Sequence, residues 1–141
     1  MPTNLAKFNS ALEKAADNIR GDFDEFYRQV SLEVLTRIVF RTPVDTGRAV
    51  GNWQVEFNRP ASASLIVTGT EQAMTDLAIS RGELKLSNIP SFSVVHITNN
   101  VEYISYLEYD RRSPKHPEGM LEITLTEMET WLSSINNKRY K

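Results

Sequence analysis

The chain reads as an α+β domain: a long N-terminal helix, a small antiparallel sheet and a C-terminal helix. Three observations predict it. Apolar residues recur every three or four positions through the first forty residues. They alternate with polar ones in short central runs, and they return to helical spacing after Gly119.

The first stripe runs through Leu5, Phe8, Leu12, Ile19, Phe23, Phe26, Val30, Val34 and Ile38. Asn4 suits the N-cap, and Pro43 forces the helix to end at or before Thr42. Tyr27, Leu32, Leu35, Val39 and Phe40 widen the stripe, so the second half is expected to be buried on more sides. The spacing favours one long helix over 1–41, with a kink allowed at Gly21, where Asp22 and Glu25 suit a new cap. A straight helix from Asn4 to Phe40 would measure about 55 Å. A compact chain of this length is roughly 37 Å across. Either the helix breaks at Gly21 or its first half lies on a neighbouring subunit; an exposed apolar stripe favours the latter and makes Phe8, Leu12 and Ile19 candidate oligomer-interface residues.

Residues 42–118 are expected to hold the sheet and its loops. Pro43, Asp45 and Gly47 compose a structural turn, with Gly47 at positive φ. Trp53, Val55 and Phe57 alternate with Gln54 and Glu56 as a half-buried strand. The β-branched run 65–68 suggests a return strand in a hairpin with it. A short helix over 70–79 would turn Ala73, Met74 and Leu77 inward, while 80–90 stays open. Residues 92–98 form a second strand; 101–109 suit either a strand or a short helix. Residues 110–117 read as an exposed loop, 119–135 as the last helix, and 136–141 as a basic tail. All of 1–141 fits one domain.

Composition narrows the function. The 141 residues are 40% hydrophobic and 24% charged, a globular balance. Sixteen basic and eighteen acidic side chains leave a net charge of −2, so no global basic field holds nucleic acid. The absence of cysteine excludes disulfides, thiolate metal sites and cysteine nucleophiles, and points to a reducing assembly compartment. No apolar run approaches the roughly 18 residues of a membrane span, and the first residues lack a leader's pattern. A cytosolic, metal-poor, cofactor-free protein is expected.

Asp45-Thr46-Gly47 spells the aspartic-protease triplet, whose chemistry needs two carboxylates sharing a proton. A small aspartic-type protease using Asp45 is therefore the alternative from a different class. Here, however, the triplet follows a helix stop and Pro43 rather than an apolar strand, and no supporting apolar-apolar-Gly segment comes later. His96 and His116, the only histidines, lack metal-ligand spacing. Tyr103, Tyr106 and Tyr109 are the densest aromatic cluster, suited to an oligomer interface. Arg111, Arg112 and Lys115, with Lys138, Arg139 and Lys141, are the segregated basic groups, expected to face neighbouring proteins.

Several segments together resemble a known family. Arg41-Thr42-Pro43-Val44-Asp45-Thr46-Gly47-Arg48-Ala49 and Asn52-Trp53 resemble the TPVDTG-R-x-x-x-W core of a tailed-bacteriophage structural family. Ile97-Thr98-Asn99-Asn100 with Tyr103 is similar to its ITNNxxYA segment. Leu107-Glu108-Tyr109 resembles its LEyG, and Pro117, Gly119 and Met120 its P-x-GM. Asp110 stands where that family often has Gly, and Ile104-Ser105 replaces Ala-Pro. The family comprises neck or tail-completion proteins, which join head to tail. The resemblance implies a non-enzymatic virion protein, assembled in the host cytoplasm, that forms a homo-oligomeric, six-fold ring at the tail–head junction. It implies contacts with the head connector or adaptor and with tail terminator or tail tube proteins. Genomic DNA would pass the lumen without specific binding, and no membrane is involved. A tail terminator or connector adaptor is the alternative within the same class.

Overall fold

A computed structural model describes residues 3–17, 23–43, 46–90, 93–110 and 119–139. The fold is α+β, with helices at both ends around a two-stranded antiparallel sheet. Its elements are α1 (Thr3–Asp17), α2 (Phe23–Phe40), α3 (Arg48–Gly51), β1 (Trp53–Phe57), α4 (Glu71–Leu86), β2 (Val95–Asn99), a single π turn (Tyr106–Asp110) and α5 (Met120–Arg139).

The expected long helix over 1–41 is two helices, and the chain reverses between them. The Asn4 side-chain amide donates to the Glu122 carbonyl and to the Thr126 hydroxyl. Arg41 pairs with Glu127, only five positions further along α5. A continuous helix would hold Asn4 and Arg41 about 55 Å apart, whereas one and a half turns of α5 separate their partners. The apolar stripe is thus folded back upon the chain itself. Phe8, Ala11 and Leu12 pack against a core of Ala15, Phe26, Val30, Met128 and Leu132. Phe8 and Leu12 therefore have an intramolecular role that the length argument did not foresee; Ile19 lies outside the described residues.

A second core joins the C-terminal half of α2 to the sheet. Leu35, Ile38 and Val39 meet Val50, Trp53, Val55, Met74, Ala78, Leu86 and Met120. Since α2 and α5 enter both cores in opposite chain order, they run antiparallel. Phe40, expected to join the stripe, is 61% exposed.

In the sheet, Trp53 pairs with Asn99 and Phe57 with Val95. The return strand expected at 65–68 is not a strand. The buried Asn52 side chain takes the place of a partner backbone there: its Oδ1 accepts from the Leu65 N–H at 2.6 Å and its Nδ2 donates to the Leu65 carbonyl at 3.1 Å. The helix expected over 70–79 runs on to Leu86, with the Thr70 hydroxyl capping it by accepting from the Ala73 N–H. Its inner face is Met74, Thr75, Ala78, Gly82 and Leu86, whereas Ala73 and Leu77 lie outward. The last helix extends past 135 through Arg139, so Lys138 and Arg139 continue α5 rather than begin a tail.

Because Leu12 packs against the core of Ala15, Phe26, Val30, Met128 and Leu132, Leu12→Ala is expected to lower the stability of the single chain by about 1–2 kcal/mol. Urea unfolding of a dilute sample measures it, and an unchanged midpoint would return α1 to a purely intersubunit role.

Candidate functional site

The segments quoted for the family resemblance lie far apart in the chain and meet around the N-terminal end of α5. Thr42 lies two residues past the end of α2 and is buried. Its hydroxyl donates to the Ile38 carbonyl at 2.7 Å and accepts from the Trp53 indole N–H at 2.7 Å. That bond fixes the entry of β1 against α2. Gly47 sits at φ 81°, as the turn composition predicts, and a Cβ there would lie 2.5 Å from the Gly69 carbonyl oxygen. Thr46 closes the turn, its carbonyl accepting from the Gly69 N–H. Pro43 is half-buried beside it; Asp45 lies outside the described residues.

The other segments lock onto this turn. The Asn99 side chain donates to the Ala49 carbonyl at 2.8 Å. Arg48 donates to Glu102 at 2.8 Å and stands 5.9 Å from the centre of the Tyr103 ring. The bond from Arg48 holds the Glu102 carboxyl below the usual carboxylate range, and the same bond raises Arg48. Glu108, in the π turn, is buried, and its carboxylate accepts from the Leu121 N–H at 2.7 Å. It thereby caps the first turn of α5, where a negative charge complements the exposed amides. Gly119, at φ 86°, lets the carboxylate approach: a Cβ there would lie 2.4 Å from Glu108 Oε2. The departure at Asp110 falls at the end of the π turn, a local backbone the sequence did not specify.

The three tyrosines do not form one surface. Tyr103 and Tyr106 line a groove of about 370 Å³ with Pro43, Gly47 and Ala49. Tyr109 lines a second groove of about 210 Å³ beside Trp53, Ile97 and Ile104. Tyr106 is 43% and Tyr109 57% exposed. Both grooves are mainly apolar. Arg111, Arg112, Lys115, Lys141 and His116 lie outside the described residues. His96 is half-buried on β2, opposite Glu56. Among the described residues, no three His, Asp or Glu side chains gather to hold a metal ion. No helix among them is long and apolar enough to cross a membrane.

Sequence reasoning missed Arg81. It is half-buried, and one guanidinium nitrogen donates to both the Gly51 and Trp53 carbonyls at 2.8 Å. Burial pulls its pKa below the ordinary guanidinium value. Nothing in its spacing signals that role.

Thr42→Val is expected to cost about 1–3 kcal/mol, because the buried Trp53 N–H loses its acceptor. Thermal unfolding with tryptophan fluorescence reads it. The Glu102 pair has a pH signature. Its folded pKa is depressed, so its stabilisation is present above the unfolded value and is lost as pH falls through the folded one. The stability gap between the wild type and Glu102→Gln should therefore be constant near pH 7 and vanish under acid conditions. The gap is small, since the pair faces solvent. Compared with models of known protein families, with curated proteins and with solved structures, the chain has no significant match.

Proposed function

We propose that the chain is a structural protein of a phage neck, forming a homo-oligomeric ring at the tail–head junction around the DNA channel. One observation carries this reading. The segments that resemble the tail-completion family touch one another through specific bonds: Thr42 with Trp53, Arg48 with Glu102, Ala49 with Asn99, and Glu108 with the start of α5. Residues so deployed hold a surface in fixed geometry, which is what a joining protein requires. The exposed Tyr106 and Tyr109 provide rigid apolar area with a hydroxyl at its edge, the composition of protein interfaces.

The role is assembly rather than catalysis, and no cofactor enters it. The ring caps the tail and presents faces to the head connector or adaptor and to the tail terminator or tube. The net charge of −2 supports a lumen that lets DNA slide. The basic residues Lys138 and Arg139, in the last turn of α5, are assigned to contacts with neighbouring proteins in this reading. The virion is the site of action.

Light scattering of the purified chain together with electron microscopy tests the reading. The expected particle has six times the 16.1 kDa chain mass and a central channel. A particle without a channel, or one that leaves tail assembly unchanged when its production is blocked, would overturn it.

A further inference from the structure

We propose that the outer edge of β1 receives an extended strand from a second copy of this chain, and that the strand is the run 65–68. The inference rests on reading the chain as a homo-oligomer and names the contact that reading leaves open.

The phase of the sheet identifies the edge. The Asn58 N–H donates to the Val94 carbonyl at 2.8 Å, in the same register as the pairs from Trp53–Asn99 to Phe57–Val95. In an antiparallel pair the bonded residues alternate. Gln54 and Glu56 therefore bond β2, while Trp53, Val55 and Phe57 turn their amides and carbonyls to the other side. Two side-chain bonds agree with this phase. Arg81 reaches the outward Trp53 carbonyl, and the Val95 N–H, outward from β2, donates to the Tyr27 hydroxyl. Among the described residues, nothing bonds the outward amides and carbonyls of Val55 and Phe57. Beside them lies a groove of about 570 Å³, walled by Leu65, Leu84, Lys85 and Asn88. Leu84 is 70% exposed. A free edge next to an apolar wall is the setting for strand addition.

The chain also carries the matching donor. Residues 65–68 are Leu-Ile-Val-Thr, β-branched and uncharged, yet they form no strand. Leu65 spends its N–H and carbonyl on Asn52. Ile66 is fully exposed, and its own amide and carbonyl have no partner among the described residues. The run is uncharged, and its Ile66 side chain is fully exposed, so it is free to take a partner. The neutral run meets Glu56, which Lys85 already pairs at 2.9 Å, without repulsion. Repeated head to tail rather than reciprocated in a two-fold pair, a contact between this edge and this run closes a ring.

The cysteine-free chain makes the test clean. Ile66→Glu is read by light scattering and circular dichroism. The expected result is assembly weakened at least tenfold with an unchanged spectrum, since the Ile66 side chain is free in the single chain. Separately, Glu56→Cys protein is mixed with Ile66→Cys protein and treated with a short bis-maleimide. The expected product is the mixed 56–66 conjugate. A wild type that assembles, with Ile66→Glu assembling as well or with only 56–56 and 66–66 conjugates formed, would overturn this contact and leave the homo-oligomer standing. A wild type that stays monomeric at about a hundred micromolar would overturn both.

Discussion

The bond from the Trp53 indole to the Thr42 hydroxyl is the constraint on which the rest of the fold depends. Thr42 is the first residue past the α2 ladder still tied to it, through the Ile38 carbonyl. Trp53 is the first residue of β1, so one hydroxyl ties the start of the sheet to the end of α2. Both groups are buried, and an unpaired indole N–H there would cost what a lost hydrogen bond costs in an apolar medium. From that joint the remaining placements follow. Asn99 returns β2 to the Ala49 carbonyl, Arg81 of α4 clasps the Gly51 and Trp53 carbonyls, and Met120 brings α5 into the same core.

Much of this architecture was legible in the sequence, and the failures have definite causes. The stripe from Leu5 to Ile38 identified helix correctly but not its reversal, because the three-four spacing is the same on both sides of residues 18–22. A periodicity reports which face is apolar; it does not report which copy of the chain covers it. The run 65–68 was read as a strand because strand propensity describes side chains that fit a pleated surface. Here a single amide side chain, Asn52, supplies the two bonds a strand would have supplied. The inner face of α4 was misread since it uses Thr75 and Gly82 where an apolar pattern was sought, and leaves Leu77 outside. Gly47, in contrast, was correct from composition alone, because the turn requires a positive φ that side chains resist.

The site was legible only as motif segments. Their order suggested a shared purpose, but the partners within them could not be read from spacing. Arg48 and Glu102 lie 54 positions apart, and Glu108 caps a helix that begins twelve residues later. Long-range polar pairings of this kind are fixed by the way two cores stack, and neither core announces its neighbour. Arg81 shows the limit: a lone cation on a helix reads as surface, yet it satisfies two backbone carbonyls at a sheet edge.

The case for self-association has moved with the structure. The sequence placed it on an overlong helix, and that argument fails once α1 is seen folded along α5 with Phe8 and Leu12 covered by the chain itself. What supports it now is the opposite end of the molecule. A two-stranded sheet has two edges and is marginal alone. Here the β2 edge is held in part by Tyr27, and the β1 edge is held by Arg81 at Trp53 but not beyond. The same chain leaves Ile66 wholly exposed on a run with strand-forming side chains. Both an unfilled acceptor and an unused donor are solved at once by a neighbour of identical sequence. A foreign partner would have to complement each of them separately. Under the proposed reading, association of like with like is thus the economical completion of this sheet, and it leaves uncovered the two tyrosine grooves, which are lined by other residues.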